Sequence, residues 1–273
     1  MKVLHVHNVA YVPATLVKGL RKLGVEADFV EDAKGADVSK YDVVHVHYAV
    51  NAHSLRAISL ARDAGRPVVL HHHGSDVRIV SPPRMKPLPP WWSFVSKWAR
   101  KRAAKVLLST PDLVRFCPQG EYIPNPVDLE VFFPTGDAKL ERILICGRQF
   151  KGSKLPQLID PERQYDIVGP GYVHKLPPNV RRLPMVPRER FAAFLNQYPE
   201  MWGAFGDLVT MARLEAMACG LRTFSDFDQV YVSYYDGQNP DSVEKPREFV
   251  QRYHDSDAVA KKHLAIYEGL TSA

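Results

Sequence analysis

Short β-branched runs alternate with helical stretches along this chain, and that alternation limits how it can fold more than any other feature. KVLHVHNV (2–9) reads as a strand, 14–23 as a helix stopped by Gly24, and EADFV (26–30) as a strand. YDVVHVHY (41–48) is a further strand, followed by a helix over 52–64 that Gly65 and Pro67 close, then the strand PVVLHHHG (67–74). This spacing predicts βαβ units and a parallel sheet with helices on both faces. After the proline-rich stretch 81–90, a basic helix over 93–105 leads into the strand KVLLST.

Residues 117–139 are rich in proline and carry no periodic run, which suits an interdomain crossing. The alternation then restarts. RILICG (142–147) and YDIVGPG (165–171) read as strands, and 188–198 as a helix. A second helix spans 210–219, stopped by Gly220, and a last one spans 256–270. The expected organisation is an N-terminal Rossmann-like domain over 1–135, a C-terminal one over 138–255, and a closing segment, 256–273, packed back on the first.

A length of 273 residues fits two such domains. The cysteines Cys117, Cys146 and Cys219 form no CxxC pair, which excludes a disulfide framework and a cysteine-rich zinc site. The 36 Lys and Arg exceed the 30 Asp and Glu by only 6, so anionic ligands are allowed and none is selected. No run is long and apolar enough for a membrane span, and MKVLHVHNV lacks the apolar core of a signal peptide. The expected location is cytoplasmic, with or without peripheral membrane contact.

The histidines gather at strand ends: His5 and His7, His45 and His47, then His71, His72 and His73. Spacing of two places each HxH pair on one face, and parallel strands bring their ends to one edge of the sheet, where α/β folds bind ligands. His5 and His45 read as satisfied core groups, and His7, His47 and His73 as facing a polar cleft. HxH pairs also ligate zinc. With no HExxH and no carboxylate beside the pairs, the reading is that no metal is bound.

In GDLVTMARLEAMACGL (206–221), Glu215 lies on the small-residue face of a helix that reads as buried nearly all round. Such a carboxylate needs a partner or a ligand. Asp207 stands in the turn leading in. CGRQFKGSK (146–154) follows a strand and offers Arg148, Lys151 and Lys154 to phosphate oxygens. VGPG, with Gly169, lacks the dinucleotide spacing but lets backbone approach a base or ribose.

In order, DVVHVHY, VVLHHHGSDV, YIPNPVDLEVFFP, ICGRQFKG, VGPG, LEAMACGL and AVAKKHLAIYEGL resemble the motifs of retaining GT-B-fold glycosyltransferases of family 4. The resemblance covers nearly the whole chain, which is short for that family. It implies two Rossmann-like domains facing a cleft and metal-independent, retaining transfer from a nucleotide-diphosphate sugar to a glycan, lipid or small-molecule acceptor. No cofactor besides the donor is implied. Arg148 and Lys151, with Lys154 as substitute, would meet the diphosphate, Glu215 the ribose, Asp207 the sugar, and His73 the sugar and acceptor side. Gly169, His7 and His47 complete the expected binding set. Asp207 stands where the family has Glu, and the family's glycine-rich first loop reads HNVAYVP.

Phe94, Val95 and Trp98, with the preceding Trp91 and Trp92, share a face opposed by Lys97, Arg100, Lys101 and Lys105. That pattern suits an anionic membrane interface or a packed helix with a solvated basic edge. The competing functions are a catalytically weak sugar-nucleotide binder on the same fold, a histidine-metal hydrolase, and a nucleic-acid binder. The last is disfavoured because acids are interspersed among the basic residues.

Overall fold

The computed structural model describes residues 1–78, 90–146, 159–169, 176–203, 210–224 and 229–272. The chain divides into two compact units, Met1–Pro126 with Asp255–Ala273, and Val127–His254. The division falls short of residue 135 because Val127 is already tied to the second unit, its N–H donating to the carbonyl of His254 at 2.7 Å.

Unit 1 contains β1 (Lys2–Val6), α1 (Val12–Lys22), β2 (Glu26–Val30), β3 (Val43–His47), α2 (Ala52–Asp63) and β4 (Val68–His72). It continues through α3 (Pro90–Arg100), β5 (Lys105–Leu108) and the two-residue β6 (Glu121–Tyr122). All pairings are parallel, in the order β2-β1-β3-β4-β5-β6. The order reverses between β1 and β3, so the switch point of an open α/β sheet lies at their carboxyl ends.

Alternation gives this sheet two chemically different faces. Leu4, Val6, Val44, Val46, Val68 and Leu70 form an apolar face that packs against Ala57, Ile58 and Ala61 of α2 and Trp92, Val95 and Trp98 of α3. The other face carries His5, His45, His47 and His71, with His5 opposite His45 and His47 opposite His71 in register. Over it lies a helix from far along the sequence, α7 (Ser256–Thr271). Asp255 caps α7, its carboxylate accepting from the N–H groups of Asp257 and Ala258 at 2.8 and 2.9 Å.

α7 packs closely on α1 through Gly19. A Cβ there would stand 2.8 Å from the Ala260 Cβ and 3.1 Å from the Ser256 carbonyl oxygen, both on or beside the backbone of α7. Gly19→Ala therefore overpacks the contact. The expected loss is about 1–3 kcal/mol by denaturant titration, despite alanine's better helix propensity.

Unit 2 holds β7 (Ile143–Cys146), β8 (Tyr165–Val168), β9 (Val180–Arg182), α4 (Arg188–Leu195), β10 (Glu200–Gly203), α5 (Met211–Ala218), β11 (Arg222–Phe224) and α6 (Pro246–Tyr253). Its strands are also all parallel, in the order β11-β10-β7-β8-β9. The reversal here lies between β7 and β10. Ile143, Ile145, Tyr165, Ile167 and Val180 form the core, with Trp202 packed against it. Where the expected strand 2–9 ran on, β1 stops at Val6, because His7 takes a left-handed conformation with φ 72°.

Candidate functional site

Two groups of side chains stand out, one in each unit. In unit 1, the histidine face of the sheet is enclosed. His5, His45, His47 and His71 are fully buried, as is His263 from α7. His5 Nδ1 lies 3.1 Å from His47 Nε2, and His47 Nδ1 lies 3.0 Å from His73 Nε2, which chains three imidazoles through His47. His45 Nδ1 meets the Tyr267 hydroxyl at 2.5 Å. Burial holds these rings neutral: it lowers His5 and His263 to about 3 and His73 to about 4, and pushes His45, His47 and His71 well below the ordinary range.

Expectation and structure part company at two points here. His47 does not face a polar cleft; it is enclosed, because β3 is flanked on both sides and its histidine side is covered. Nor are the histidines without carboxylates. Asp76 Oδ2 sits 2.6 Å from His72 Nδ1 on the opposite face, and Asp76 also accepts from the N–H groups of Ala49, His73 and Gly74. Burial alone would raise this carboxyl, but His72 and those donors bring it down to about 2. Glu31 holds the partly exposed His7 at 2.7 Å. The glycine-free first loop nevertheless takes left-handed backbone at His7, Ala10 and Tyr11.

In unit 2 the central residue is Glu215 on α5. Seven of the eight residues of that helix are buried, and Thr210 caps it by accepting from the Arg213 N–H at 3.4 Å. Glu215 is 2% exposed, and its Oε1 meets Arg188 Nη1 of α4 at 2.6 Å. Burial raises its carboxyl to about 7, with Arg188 opposing the rise. Its charge reaches Cys146, the last residue of β7, whose thiol burial and Glu215 together push up to about 12. Glu215 thus stands near the carboxyl end of β7, beside the switch point. Arg188, the first residue of its helix, was not among the residues expected at the site, since nothing local to PRERFAAFL marks it as a partner of Glu215.

Gly169 follows β8 with φ 146°, a conformation side-chain-bearing residues rarely adopt. Arg148, Lys151 and Lys154 follow β7 in the chain and Asp207 follows β10; all four lie outside the described residues.

A family model described as glycosyl transferase 4-like matches residues 29–110. Across the whole chain the likeness is to solved structures. AviGT4, a glycosyltransferase involved in avilamycin A biosynthesis, is 15% identical, with a TM-score of 0.66 over 100% of this chain and 98% of that one. The fold is of the GT-B type. Anabaena Alr3699/HepE, solved with UDP and glucose, is 12% identical with a TM-score of 0.61, covering 99% of this chain and 100% of that one. A putative UDP-N-acetylglucosamine 2-epimerase from Listeria monocytogenes is 13% identical with a TM-score of 0.55, covering 97% and 95% of the two chains. No curated protein matches the sequence. The GT-B chain thus resembles the glycosyltransferases of family 4, as its motifs imply.

Proposed function

We propose that this chain is a glycosyltransferase that moves a sugar from a nucleotide-diphosphate sugar to an acceptor hydroxyl, with retention and with no metal at the diphosphate. The bond from the anomeric carbon to the diphosphate oxygen breaks, the acceptor oxygen takes its place, and the acceptor's proton passes to the leaving phosphate. Arg148 and Lys151, with Lys154 beside them in sequence, meet the charge that develops on that phosphate. Asp207 and the neutral imidazole of His73 serve the sugar and acceptor side.

The observation that carries this reading is Glu215, a carboxylate buried on an apolar helix at the switch point of unit 2. The two adjacent hydroxyls of a ribose both donate to one carboxylate, and ribose binding would take over the role Arg188 fills in the free chain. Likeness of fold to AviGT4 and Alr3699/HepE supports the same reading.

The test is calorimetric titration of UDP, GDP and ADP, with and without chelator. Glu215→Gln should weaken the preferred nucleotide about 10- to 100-fold, the equivalent of about 1.5–3 kcal/mol of charge-assisted hydrogen bonding. Stability should move the other way. A carboxyl raised from 4.5 to about 7 costs folding energy as pH rises through that window, so the variant melts no lower than wild type at pH 8. Unchanged nucleotide affinity would remove the ribose assignment.

No helix among the described residues is long and apolar enough to cross a membrane. Trp91 and Phe94 on α3 are 55% and 72% exposed, with Lys97, Arg100 and Lys101 nearby in sequence, which supports peripheral contact with an anionic surface. Vesicles containing anionic lipid should pellet the protein at low salt and release it at high salt. Failure to pellet at low salt removes that contact.

A further inference from the structure

We propose that His47, His71 and His73 form a binding site for one divalent late transition-metal ion, zinc or a close relative, in unit 1. One ring nitrogen from each lies within 4.8 Å of one from each of the others. Three imidazoles at one point are a ligand set that zinc accepts, with a fourth position left for solvent or a ligand. The site shares His73 and His47 with the transferase reading, which places no metal at the donor phosphates, and metal uptake by the free chain tests it apart from turnover.

The internal geometry favours an ion. His47 Nδ1 and His73 Nε2 are 3.0 Å apart. Two nitrogens bound to one tetrahedral zinc at 2.0–2.1 Å lie about 3.3 Å apart, so a slight widening turns the contact into a pair of ligands. His71 is the second observation. It is fully buried, and neither of its ring nitrogens has a hydrogen-bond partner. Its ring lies 4.4 Å from that of His73 and 5.5 Å from that of His47, centroid to centroid. A buried imidazole with two orphaned nitrogens, packed against two others, is what an ion would satisfy.

The surroundings fit as well. When His47 ligates through Nδ1, its Nε2–H is left to donate to His5 Nδ1 at 3.1 Å, the kind of outer partner that fixes a ligand's tautomer. Asp76 holds the backbone N–H of His73 at 3.1 Å, and its negative charge acts on the His73 ring. His73 is the one partly exposed member of the three, so the open position and the entry path lie on its side.

A second triad, His5, His45 and His47, shares His47 and has the same compactness. It is less suited, because all three rings are enclosed and His45 already has the Tyr267 hydroxyl on Nδ1.

Cobalt(II) serves as the probe, added to the folded protein and, in a parallel sample, during refolding, with circular dichroism confirming the fold. Wild type should bind one Co²⁺ per chain with visible ligand-field bands, and Zn²⁺ should displace it. His71→Leu should lose at least about a hundredfold in affinity together with the bands, and His73→Gln likewise. His45→Leu should keep both. A folded wild type that takes up no metal overturns the proposal. So does a loss confined to His45→Leu, which would place any ion in the other triad.

Discussion

Acidified from pH 7 to about pH 5, the metal-free protein loses the fold of unit 1 in one steep step. The cause is the histidine layer beneath α7. His5, His45, His47, His71, His73 and His263 are all held neutral in the fold, the lowered values reaching about 3 for His5 and His263 and about 4 for His73. In the unfolded chain each would titrate near 6.5. A base with a depressed folded value contributes its full stability above 6.5 and loses it as pH falls, because the unfolded chain binds the proton first.

Each ring therefore takes away about 1.4 kcal/mol per pH unit below that point, and the six together release on the order of 10 kcal/mol by pH 5. That is comparable with the whole stability of a domain. Far-ultraviolet dichroism against pH should show the midpoint between pH 5 and 6. His45→Leu, with one fewer proton to take up, should move it to lower pH. A fold that stays intact to pH 4 would mean that water reaches the rings.

Asp166→Ala should cost unit 2 about 3 kcal/mol, the penalty for removing one partner from a buried ion network. Asp166 is fully buried in β8 and collects donors from three directions. Arg142 Nε reaches it at 2.7 Å, Arg181 Nε and Nη2 at 2.9 and 2.7 Å, and the Tyr198 hydroxyl at 2.8 Å. Burial would raise its carboxyl, yet Arg181, Tyr198 and Arg142 together hold it below the ordinary range. Without the carboxylate, the enclosed Tyr198 hydroxyl loses that partner while both guanidinium groups turn toward water, which keeps the loss below that of a fully enclosed pair. Asp166→Asn retains an acceptor for Tyr198 and should lose less. Urea titration separates the two, and an alanine variant within about 1 kcal/mol of wild type would show that the network is dispensable.

The period-two histidines of HVH and HHH were legible because a strand alternates its side chains, and the β-branched runs around them announced the parallel sheet. β9, β10 and β11 did not announce themselves: none of VRR, EMWG and RTF holds two of Val, Ile and Leu, as ILIC of β7 and YDIV of β8 do. The buried Glu215 was legible from the small and apolar residues around it on α5. Its partner was not, because Arg188 comes from a different helix and only the fold brings the two together. Asp76 was readable in principle, standing four residues after His72 in HHHGSD, but its reach to His72 depends on the turn that follows β4.

Unit 1 is encoded in two pieces, with all of unit 2 between them. A ribosome therefore delivers the histidine face of the sheet long before it delivers α7. During that interval His45 has neither the ring of His263 nor the hydroxyl of Tyr267 beside it, and the imidazoles stand in water with their ordinary basicity. Unit 2 is contiguous and can close on its own as it emerges. The histidine face is thus enclosed only when residues 256–271 arrive, at the end of synthesis.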